Sequence, residues 1–237
     1  MSEFVDIHNH ILPRVDDGAK SMEESVAMLY EAVENEVKYL MLTPHSRYHG
    51  KLISLEDVNA SFAELEKRVL EEKIPIQLKL GMEIYYEHDL LSYLKQGKMI
   101  SLNHSSYLLV EFHNKVDFQY MLKGLYDLSS GGYIPILAHA ERYPCLFHKK
   151  ERMQEIKERD VLIQVNAGSV LGKFGRKEKI YTKYMLKNQL VDYVATDAHD
   201  LRKRKIMLKK CEKYISKWYG KEYASKLFYE NGKKLFE

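Results

Sequence analysis

The stretch FVDIHNHILP at residues 4–13 places two histidines, His8 and His10, one residue apart directly after a short apolar run. Side chains at alternate positions of an extended chain point to the same side, so the two imidazole rings converge only if this segment runs as a β-strand. The stretch therefore predicts a first strand over residues 4–8 that carries functional groups at its carboxyl end.

Six more apolar runs with β-rich composition follow along the chain. They predict strands at 39–43, 76–84, 107–112, 134–139, 161–166 and 191–196. Stretches with helical periodicity separate the strands; the first begins at Ser21 with Glu24 three residues on, a capping-box pattern, and a second begins near Ser54. The last stretch, 204–236, predicts two helices that divide at Gly220. Seven alternating units predict a parallel α/β fold, either an open doubly wound sheet or a barrel.

The composition of the chain is that of an ordinary globular protein. It has 237 residues, of which 45% are hydrophobic and 30% charged, and we expect one domain over residues 1–237. The chain has no transmembrane run, and the start MSEFVD lacks the features of a signal peptide, so we expect a cytoplasmic protein. Cys145 and Cys211 form neither a disulfide framework nor a metal or redox pair. The net charge of +3 gives no argument for nucleic-acid binding.

Strong metal-binding side chains stand at or near the carboxyl ends of six of the seven predicted strands. They are His8, His10, His45, Glu83, Glu111, His139, Asp197 and His199, with Asp16 and Asp17 in the loop after the first strand. Parallel α/β folds build their sites at that end of the strands. The sequence therefore predicts that these side chains meet in one metal site.

Each of these residues also has a structural explanation when it is considered alone, since a single histidine at a strand end is usually hydrogen-bonded in the core or at the surface. The carboxylates of Glu83 and Glu111 are harder to explain in this way, because a charge in an apolar strand is costly unless it is paired or bound to a metal. His113, two residues past Glu111, is left open as a supporting residue. The other histidines are predicted to be solvated: His49, His88, His104 and His148.

The chemistry of the set narrows the choice of metal. Imidazole and carboxylate groups without thiolate suit Mn, Zn or Fe and argue against a structural zinc site. About nine ligands are too many for one ion and suit two or three ions that share carboxylates. Clusters of this kind are typical of hydrolytic phosphoryl or acyl chemistry.

The order HNH, DD, H, E, E, H and DAH, distributed over the strand ends and the first loop, resembles the PHP (polymerase and histidinol phosphatase) metallohydrolases. That resemblance implies a distorted seven-stranded (β/α)7 barrel with the metal site at the C-terminal ends of the strands. The stretches DIHNHILPRVDDGAKSMEES, GMEIYY, YLLVEF, AHAERY and TDAHDLRKR are similar to the manganese-dependent phosphotyrosine phosphatases of bacterial capsule and exopolysaccharide synthesis. The similarity covers nearly the whole chain and implies a protein-tyrosine phosphatase, which is a phosphoric monoester hydrolase.

The resemblance also implies roles for individual residues. It implies three Mn²⁺ positions, with Fe or Zn as alternative metals. The ligand sets are His8, His10, Glu83 and Asp197 for the first ion, Glu83, Glu111 and His139 for the second, and Asp17, His45 and His199 for the third. Arg142 and Arg204 match positions that bind the substrate phosphate, with Arg202 as an alternative to Arg204. His199 or a bound water would act as the acid.

The partner implied by the resemblance is a phosphotyrosyl protein, a membrane-associated bacterial tyrosine kinase with a tyrosine-rich C-terminal tail. Basic residues near the predicted rim suit an acidic phosphopeptide, although a solvated surface explains them as well: Arg14, Arg47, Lys51, Lys173, Arg176 and Lys177. Three alternatives remain. They are a histidinol-phosphate phosphatase, a nuclease or amidohydrolase, and a non-catalytic kinase-binding module; the amidohydrolase pattern usually has a lysine on strand four, where this chain has Glu111.

Overall fold

Strands alternate with helices along the chain in the computed structural model, which describes residues 3–147 and 149–237. The strands are β1 (Phe4–Asp6), β2 (Val37–Leu42), β3 (Arg47–Tyr48), β4 (Lys51–Leu52), β5 (Gln77–Leu80), β6 (Glu83–Tyr85), β7 (Tyr107–Glu111), β8 (Ile134–Leu137), β9 (Leu162–Asn166) and β10 (Tyr193–Ala195). The α-helices are α1 (Met22–Glu34), α2 (Leu55–Glu71), α3 (Leu90–Lys95), α4 (Phe118–Ser130), α5 (Lys150–Lys157), α6 (Ala167–Val170), α7 (Arg176–Lys187), α8 (Leu208–Tyr219), α9 (Lys221–Ser225) and α10 (Asn231–Lys233). Each of the seven predicted runs contains a strand.

The hydrogen-bonded units are two parallel sheets with the strand orders β1-β2-β5 and β10-β9-β8-β7-β6. Two isolated parallel bridges link the sheets, one between Asn9 and Ala198 and one between His45 and Glu83. Apolar side chains of both sheets share one buried cluster, which also takes in the C-terminal Phe236. That cluster includes Val5, Ile7, Met41, Leu109, Ile136, Tyr193 and Ala195. One face of each sheet therefore packs on a common interior, and the helices cover the other faces.

The structure divides the predicted third strand, 76–84, into β5 and β6. β5 pairs with β2 in the smaller sheet, whereas β6 pairs with β7 in the larger one, so the chain passes from one sheet to the other between Leu80 and Glu83. Gly81 lies in this passage, and a Cβ there would come within 2.7 Å of the side chain of Leu102. The division follows from tertiary packing, which the continuous apolar run does not show.

The antiparallel hairpin of β3 and β4 was not predicted. Its two central residues, His49 and Gly50, have φ angles of 50° and 74°, the left-handed pair that fits the twist of a two-residue hairpin. Glycine adopts this conformation without strain, and the dipeptide HG was the signal in the sequence. The flanking strands are two residues each, too short for an apolar pattern to mark them.

The predicted helix starts are confirmed. Ser21 caps α1 by accepting a hydrogen bond from Glu24 N, and Ser54 caps α2 by accepting one from Asp57 N. At the C-terminal end, Gly220 (φ 98°) separates α8 from α9 as predicted, but α8 begins at Leu208 rather than 204. No helix among the described residues combines the length and the apolarity needed to span a bilayer.

Candidate metal centre

The nine side chains predicted as metal ligands come together at the carboxyl ends of the parallel strands. The pairing of Asn9 with Ala198 continues in backbone hydrogen bonds, from Asp197 N to His8 O (2.8 Å) and from His10 N to Ala198 O (2.8 Å). The opposite edge is tied in the same way, because Glu83 N donates to Pro44 O at 3.0 Å. Segments far apart in the sequence thus present their side chains to one cluster.

Glu83 lies at the centre of this cluster and is 1% exposed. Its Oε2 atom is 3.2 Å from His8 Nε2, 3.2 Å from His10 Nε2 and 3.0 Å from His45 Nδ1. Its Oε1 atom is 2.8 Å from His139 Nε2. Four imidazole rings from two strand ends, those of β1 and β8, and from the loop after β2 therefore surround one buried carboxylate.

Asp197 forms a second buried centre next to Glu83. Its Oδ1 atom is 3.5 Å from both His8 Nε2 and His10 Nε2. Two guanidinium groups approach the same carboxylate, with Arg142 Nη2 at 2.9 Å from Oδ2 and Arg204 Nη2 at 2.6 Å from Oδ1. The two predicted phosphate-binding arginines thus stand directly beside the predicted ligands, with about a third of each side chain exposed.

Asp17 and Glu111 complete the cluster on its more exposed side. Asp17 Oδ1 is 3.5 Å from His45 Nε2 and 3.4 Å from His199 Nε2. Glu111 Oε1 is 3.1 Å from His45 Nδ1, and its Oε2 is 3.7 Å from His139 Nε2. Asp17 is nearly half exposed and Glu111 is partly exposed, so this side of the cluster is accessible to a ligand from solvent.

Three groups of ligand atoms, each within 4.8 Å of one another, have the geometry of an ion site. They are His8, His10 and Asp197; His10, Asp17, His45 and His199; and His45, Glu83 and Glu111. The second contains the full set expected for the third ion, and the first contains the set expected for the first ion except Glu83, whose Oε2 lies 3.2 Å from the Nε2 atoms of His8 and His10. The third has Glu83 and Glu111 together as expected for the second ion, but with His45 where the expectation was His139, which contacts both carboxylates from the other side.

The imidazole rings are oriented as metal ligands require. Nδ1 of His10 donates to Asp16 Oδ2 at 2.7 Å, and Nδ1 of His199 donates to the Asp197 carbonyl at 3.0 Å. In both rings Nε2 is buried and has no hydrogen-bond partner among the described residues, as is also the case for His8 Nε2. In histidines that bind metals, one ring nitrogen typically donates a hydrogen bond that fixes the ring, and the other nitrogen faces the metal. These rings have that arrangement, because their Nε2 atoms are buried beside carboxylates without a hydrogen-bond partner among the described residues. The residues present therefore fit a metal centre.

The electrostatics of the cluster also favour cations. Burial opposes the charge of Glu83, but His8 and His45 outweigh it and hold the pKa of this carboxyl well below its usual value. Burial likewise disfavours a charged His8, yet Glu83 and Asp197 raise its pKa overall, which favours a proton on the ring in competition with a cation. A metal ion that binds Nε2 displaces that proton, and metal binding is therefore coupled to proton release.

Two polar residues of the site, Gln164 and Asn166, were missed by the sequence reasoning, and Asp16, which it had placed in the first loop beside the ligands, supports them. Asp16 accepts from His10 Nδ1 and from the backbone of His45, and so joins the first loop to the loop after β2. Gln164 and Asn166, on β9, contact His8, His139 and Asp197. The signal for the last two was the polar Q and N inside the run VLIQVN, the one predicted strand without a predicted ligand.

Two of the predicted ligands have left-handed backbone conformations. His139 has φ 34° and ψ 52°, and Asp197 has φ 52°. This region is unfavourable for a residue with a side chain, by about 1–2 kcal/mol. At both positions the left-handed residue directs its side chain into the cluster at the point where the strand ends, and hydrogen bonds from each backbone N–H hold the conformation.

The remaining histidines and the cysteines lie away from this centre. His49, His88 and His104 are exposed, as predicted, and His113 is exposed as well; His148 lies outside the described residues. Burial raises the pKa of Cys145 and of Cys211, so both are thiols at neutral pH. A neutral thiol is a poor nucleophile, which argues against a cysteine mechanism.

Gly18 supports the first loop at a point where only a glycine fits. A Cβ there would be 1.9 Å from His10 O and 2.6 Å from His10 Cβ, whereas Gly18 N donates to Asp16 Oδ1 at 2.9 Å. We expect Gly18→Ala to displace the loop, to destabilise the fold by about 1–3 kcal/mol, and to lower the metal content. Thermal unfolding and elemental analysis would measure both.

Gly131→Ala is the matched control, because Gly131 has φ −76° and a Cβ there meets mainly the movable side chain of Leu91, far from the cluster. It should cost less stability and leave the metal content unchanged. Equal metal content in the two variants would contradict the role given to Gly18.

A family model places the chain among known proteins. The model for capsular polysaccharide synthesis, CpsB/CapC, matches residues 4–237. The chain belongs to the CpsB/CapC family. This confirms the relationship that the sequence motifs indicated.

Curated relatives of this CpsB/CapC protein carry the names of tyrosine phosphatases. The tyrosine-protein phosphatase CpsB of Streptococcus agalactiae is 33% identical over 99% of this chain and 98% of its own length. The tyrosine-protein phosphatase YwqE of Bacillus subtilis is 30% identical over 92% of this chain and 86% of its own. The family match over residues 4–237 includes every predicted ligand.

Solved structures give the same family and a wider fold relationship. A structure from a study of YwqE from Bacillus subtilis and CpsB from Streptococcus pneumoniae, described as unique metal-dependent tyrosine phosphatases, matches with a TM-score of 0.88 and 30% identity, over 93% of this chain and 89% of that one. The phosphotriesterase homology protein of Escherichia coli matches with a TM-score of 0.64 at 11% identity, over 99% of both chains. The second match shows the fold alone.

Proposed function

We propose that this CpsB/CapC protein is a metal-dependent protein-tyrosine phosphatase. The observation that carries the proposal is the position of Arg142 and Arg204, which both contact Asp197 at the edge of a buried histidine and carboxylate cluster. A cation site with two guanidinium groups at its open side suits a phosphate monoester, because the planar guanidinium fork matches phosphate oxygens. The family relationship supports tyrosine phosphate as the group that is removed.

The proposed ligands are the nine clustered residues, and we propose Mn²⁺ as the metal. Their oxygen and imidazole nitrogen atoms, without thiolate, suit Mn²⁺. The set is His8, His10, Asp17, His45, Glu83, Glu111, His139, Asp197 and His199. Bound divalent cations supply Lewis acidity toward phosphoryl oxygens and lower the pKa of water. The buried carboxylates of Glu83 and Asp197 would hold the first of these ions from within the core.

Arg142 and Arg204 act on the substrate. Each guanidinium is anchored on one side by Asp197 and keeps about a third of its side chain exposed, so it can donate to equatorial oxygens of a phosphoryl group. Donors fixed before the substrate arrives stabilise the charge of the transition state without reorganisation. Arg202 is exposed, whereas Arg204 contacts Asp197, so we assign the phosphate contact to Arg204.

His199 acts as a ligand rather than as the acid. Burial and the neighbouring His10 lower the pKa of His199 to about 4, so the ring is neutral at neutral pH. A neutral imidazole binds a metal and is a weak proton donor. The phenol of tyrosine, with a pKa of about 10, leaves with less protonation than a serine alcohol would need, which suits a site with no dedicated acid.

The proposal extends to the fold, the cellular location and the substrate of the protein. The two sheets and their two bridges form one distorted barrel within a single domain, and the protein acts in the cytoplasm on the phosphorylated tail of a membrane-associated tyrosine kinase. Of the basic residues near the rim, Arg14 and Arg47 are paired with Glu64 and Glu87. The exposed Lys51, Lys173 and Arg176 would attract an acidic peptide.

Metal-dependent release of phosphate tests the function. We expect the Mn²⁺-loaded protein to hydrolyse a phosphotyrosyl peptide, with turnover reduced at least about a hundredfold by a chelator and restored by Mn²⁺. Phosphoseryl peptide and histidinol phosphate serve as competing substrates, and His139→Ala as the inactive control. Turnover of histidinol phosphate alone would indicate a phosphatase of small-molecule metabolism instead. No turnover with any of the substrates would indicate a non-catalytic binding protein.

A further inference from the structure

Gln164 is a fully buried amide in the middle of β9, between the apolar Ile163 and Val165. Its Oε1 atom lies 2.7 Å from His139 N and 3.1 Å from His8 Nδ1. Its Nε2 atom donates to Asn166 Oδ1 at 2.8 Å. One side chain on β9 thus contacts the ends of β1 and β8, which carry two of the proposed ligands.

The directions of these hydrogen bonds follow from the backbone N–H of His139, which can act only as a donor. The atom of Gln164 that faces it must therefore be the amide oxygen. The same oxygen faces His8 Nδ1, so that nitrogen must carry the hydrogen and donate. His8 Nε2 is therefore the nitrogen left for a cation, and it is buried without a hydrogen-bond partner among residues 3–147 and 149–237.

The amide chain continues to a third ligand. Because Gln164 Nε2 donates to Asn166 Oδ1, the other end of Asn166 is its NH₂ group, which donates to Asp197 Oδ2 at 2.7 Å. Asp197 Oδ1 then remains toward His8 and His10. Two neighbouring amides on one strand fix the orientation of ligands from β1, β8 and β10.

We propose that Gln164, acting with Asn166, is the positioning residue that sets the ring form of His8 and the orientation of His139 and Asp197 before a metal ion binds. The inference rests on the proposed function in assuming a metal at this cluster. The competing explanation is that Gln164 only satisfies buried backbone and adds stability. In the first explanation the Gln164 oxygen that faces His8 is essential. In the second, only the size and polarity of the side chain matter.

Three substitutions separate these explanations. Gln164→Met keeps the length and removes the acceptor. Gln164→Asn keeps an amide but withdraws it by one methylene from His8 and His139. Gln164→Glu keeps an oxygen at the same reach. Thr182→Val is the matched control, since Thr182 is also buried but its hydroxyl donates to Lys179 O within α7.

The experiment measures Mn²⁺ bound per chain against free Mn²⁺ by equilibrium dialysis, together with thermal unfolding of the metal-free proteins. We expect Gln164→Met and Gln164→Asn to bind Mn²⁺ about 10–100-fold more weakly, the usual effect of losing a hydrogen bond behind a metal ligand. Gln164→Glu keeps the acceptor for His8 and His139 but loses the donor to Asn166, so its affinity should fall between that of Gln164→Met and that of wild type. Thr182→Val should lower the unfolding temperature without changing Mn²⁺ affinity. If Gln164→Met does not fold, Gln164→Asn carries the comparison.

Wild-type affinity in Gln164→Met or Gln164→Asn would overturn the positioning role, as would a loss in Gln164→Glu as large as in Gln164→Met. The wild-type measurement separates this failure from that of the proposed function. Wild-type protein that binds no Mn²⁺ overturns both, whereas wild-type protein that binds Mn²⁺ and releases phosphate, with unaffected Gln164 variants, overturns the positioning role alone.

Discussion

Replacing Glu83 by glutamine is expected to abolish metal binding and to reduce phosphotyrosyl turnover by about a thousandfold, equivalent to about 4 kcal/mol in the activation free energy. The reason is geometric, since both carboxylate oxygens of Glu83 lie within 2.8–3.2 Å of histidine nitrogens. An amide of the same size keeps one oxygen, loses the negative charge and brings an NH₂ group against a ring nitrogen. Metal content by elemental analysis and turnover of a phosphotyrosyl peptide measure the effect.

Glu64→Gln is the control for this variant, because Glu64 is an exposed carboxylate that pairs with Arg14 on the surface. It should keep the metal content and turnover of wild type, as expected for a surface ion pair. Circular dichroism of metal-free Glu83→Gln establishes that the variant is folded. A folded Glu83→Gln protein with wild-type metal content and turnover would contradict the central position given to Glu83.

Replacing Arg204 by alanine is expected to lower kcat/KM for a phosphotyrosyl peptide by about 10²–10³-fold, the effect of losing one fixed donor to a developing charge. Arg202→Ala should stay within about threefold of wild type, because a solvated arginine adds little. The two residues are neighbours of equal charge, but Arg204 contacts Asp197 and Arg202 is exposed. Comparing Arg202→Ala with Arg204→Ala therefore distinguishes the effect of the arginine's position from the effect of net charge.

Because Arg204 also touches a proposed ligand, metal content must be measured in parallel. We expect Arg204→Ala to retain its metal, and Arg204→Lys, which keeps the charge without the planar fork, to fall between alanine and wild type. Equal losses in Arg202→Ala and Arg204→Ala would show that net charge at the rim matters rather than the contact. Loss of metal in Arg204→Ala would show that the arginine acts through Asp197.

The order of the fold and the members of the candidate site follow from local patterns in the sequence. A short apolar run that ends in a histidine or carboxylate recurs at β1, β2, β6, β7, β8 and β10, and the parallel arrangement that such runs predict places those endings at the same edge. The caps at Ser21 and Ser54 and the break at Gly220 are also local, since each depends on residues within one helical turn.

Features that depend on contacts between distant segments were not predicted. The passage of the chain from one sheet to the other near Gly81 is seen only in the pairing of β5 with β2 and of β6 with β7. The position of His45 between Glu83 and Glu111 depends on a bridge between strand ends, which no periodicity reveals. Gln164 looks from the sequence like a polar residue in an apolar strand, and its direction toward His8 appears only when the sheet is assembled.

The left-handed backbone at His139 has a consequence for how such a protein changes over generations. Glycine or asparagine would occupy that position at lower conformational cost, so drift under selection for stability alone would replace this histidine early. Asp197 is under weaker pressure of this kind, since aspartate tolerates the conformation better than histidine does. In descendants of this chain that have lost the activity, position 139 should therefore be among the first of the nine to change, and a histidine kept there is a sign of a site still in use.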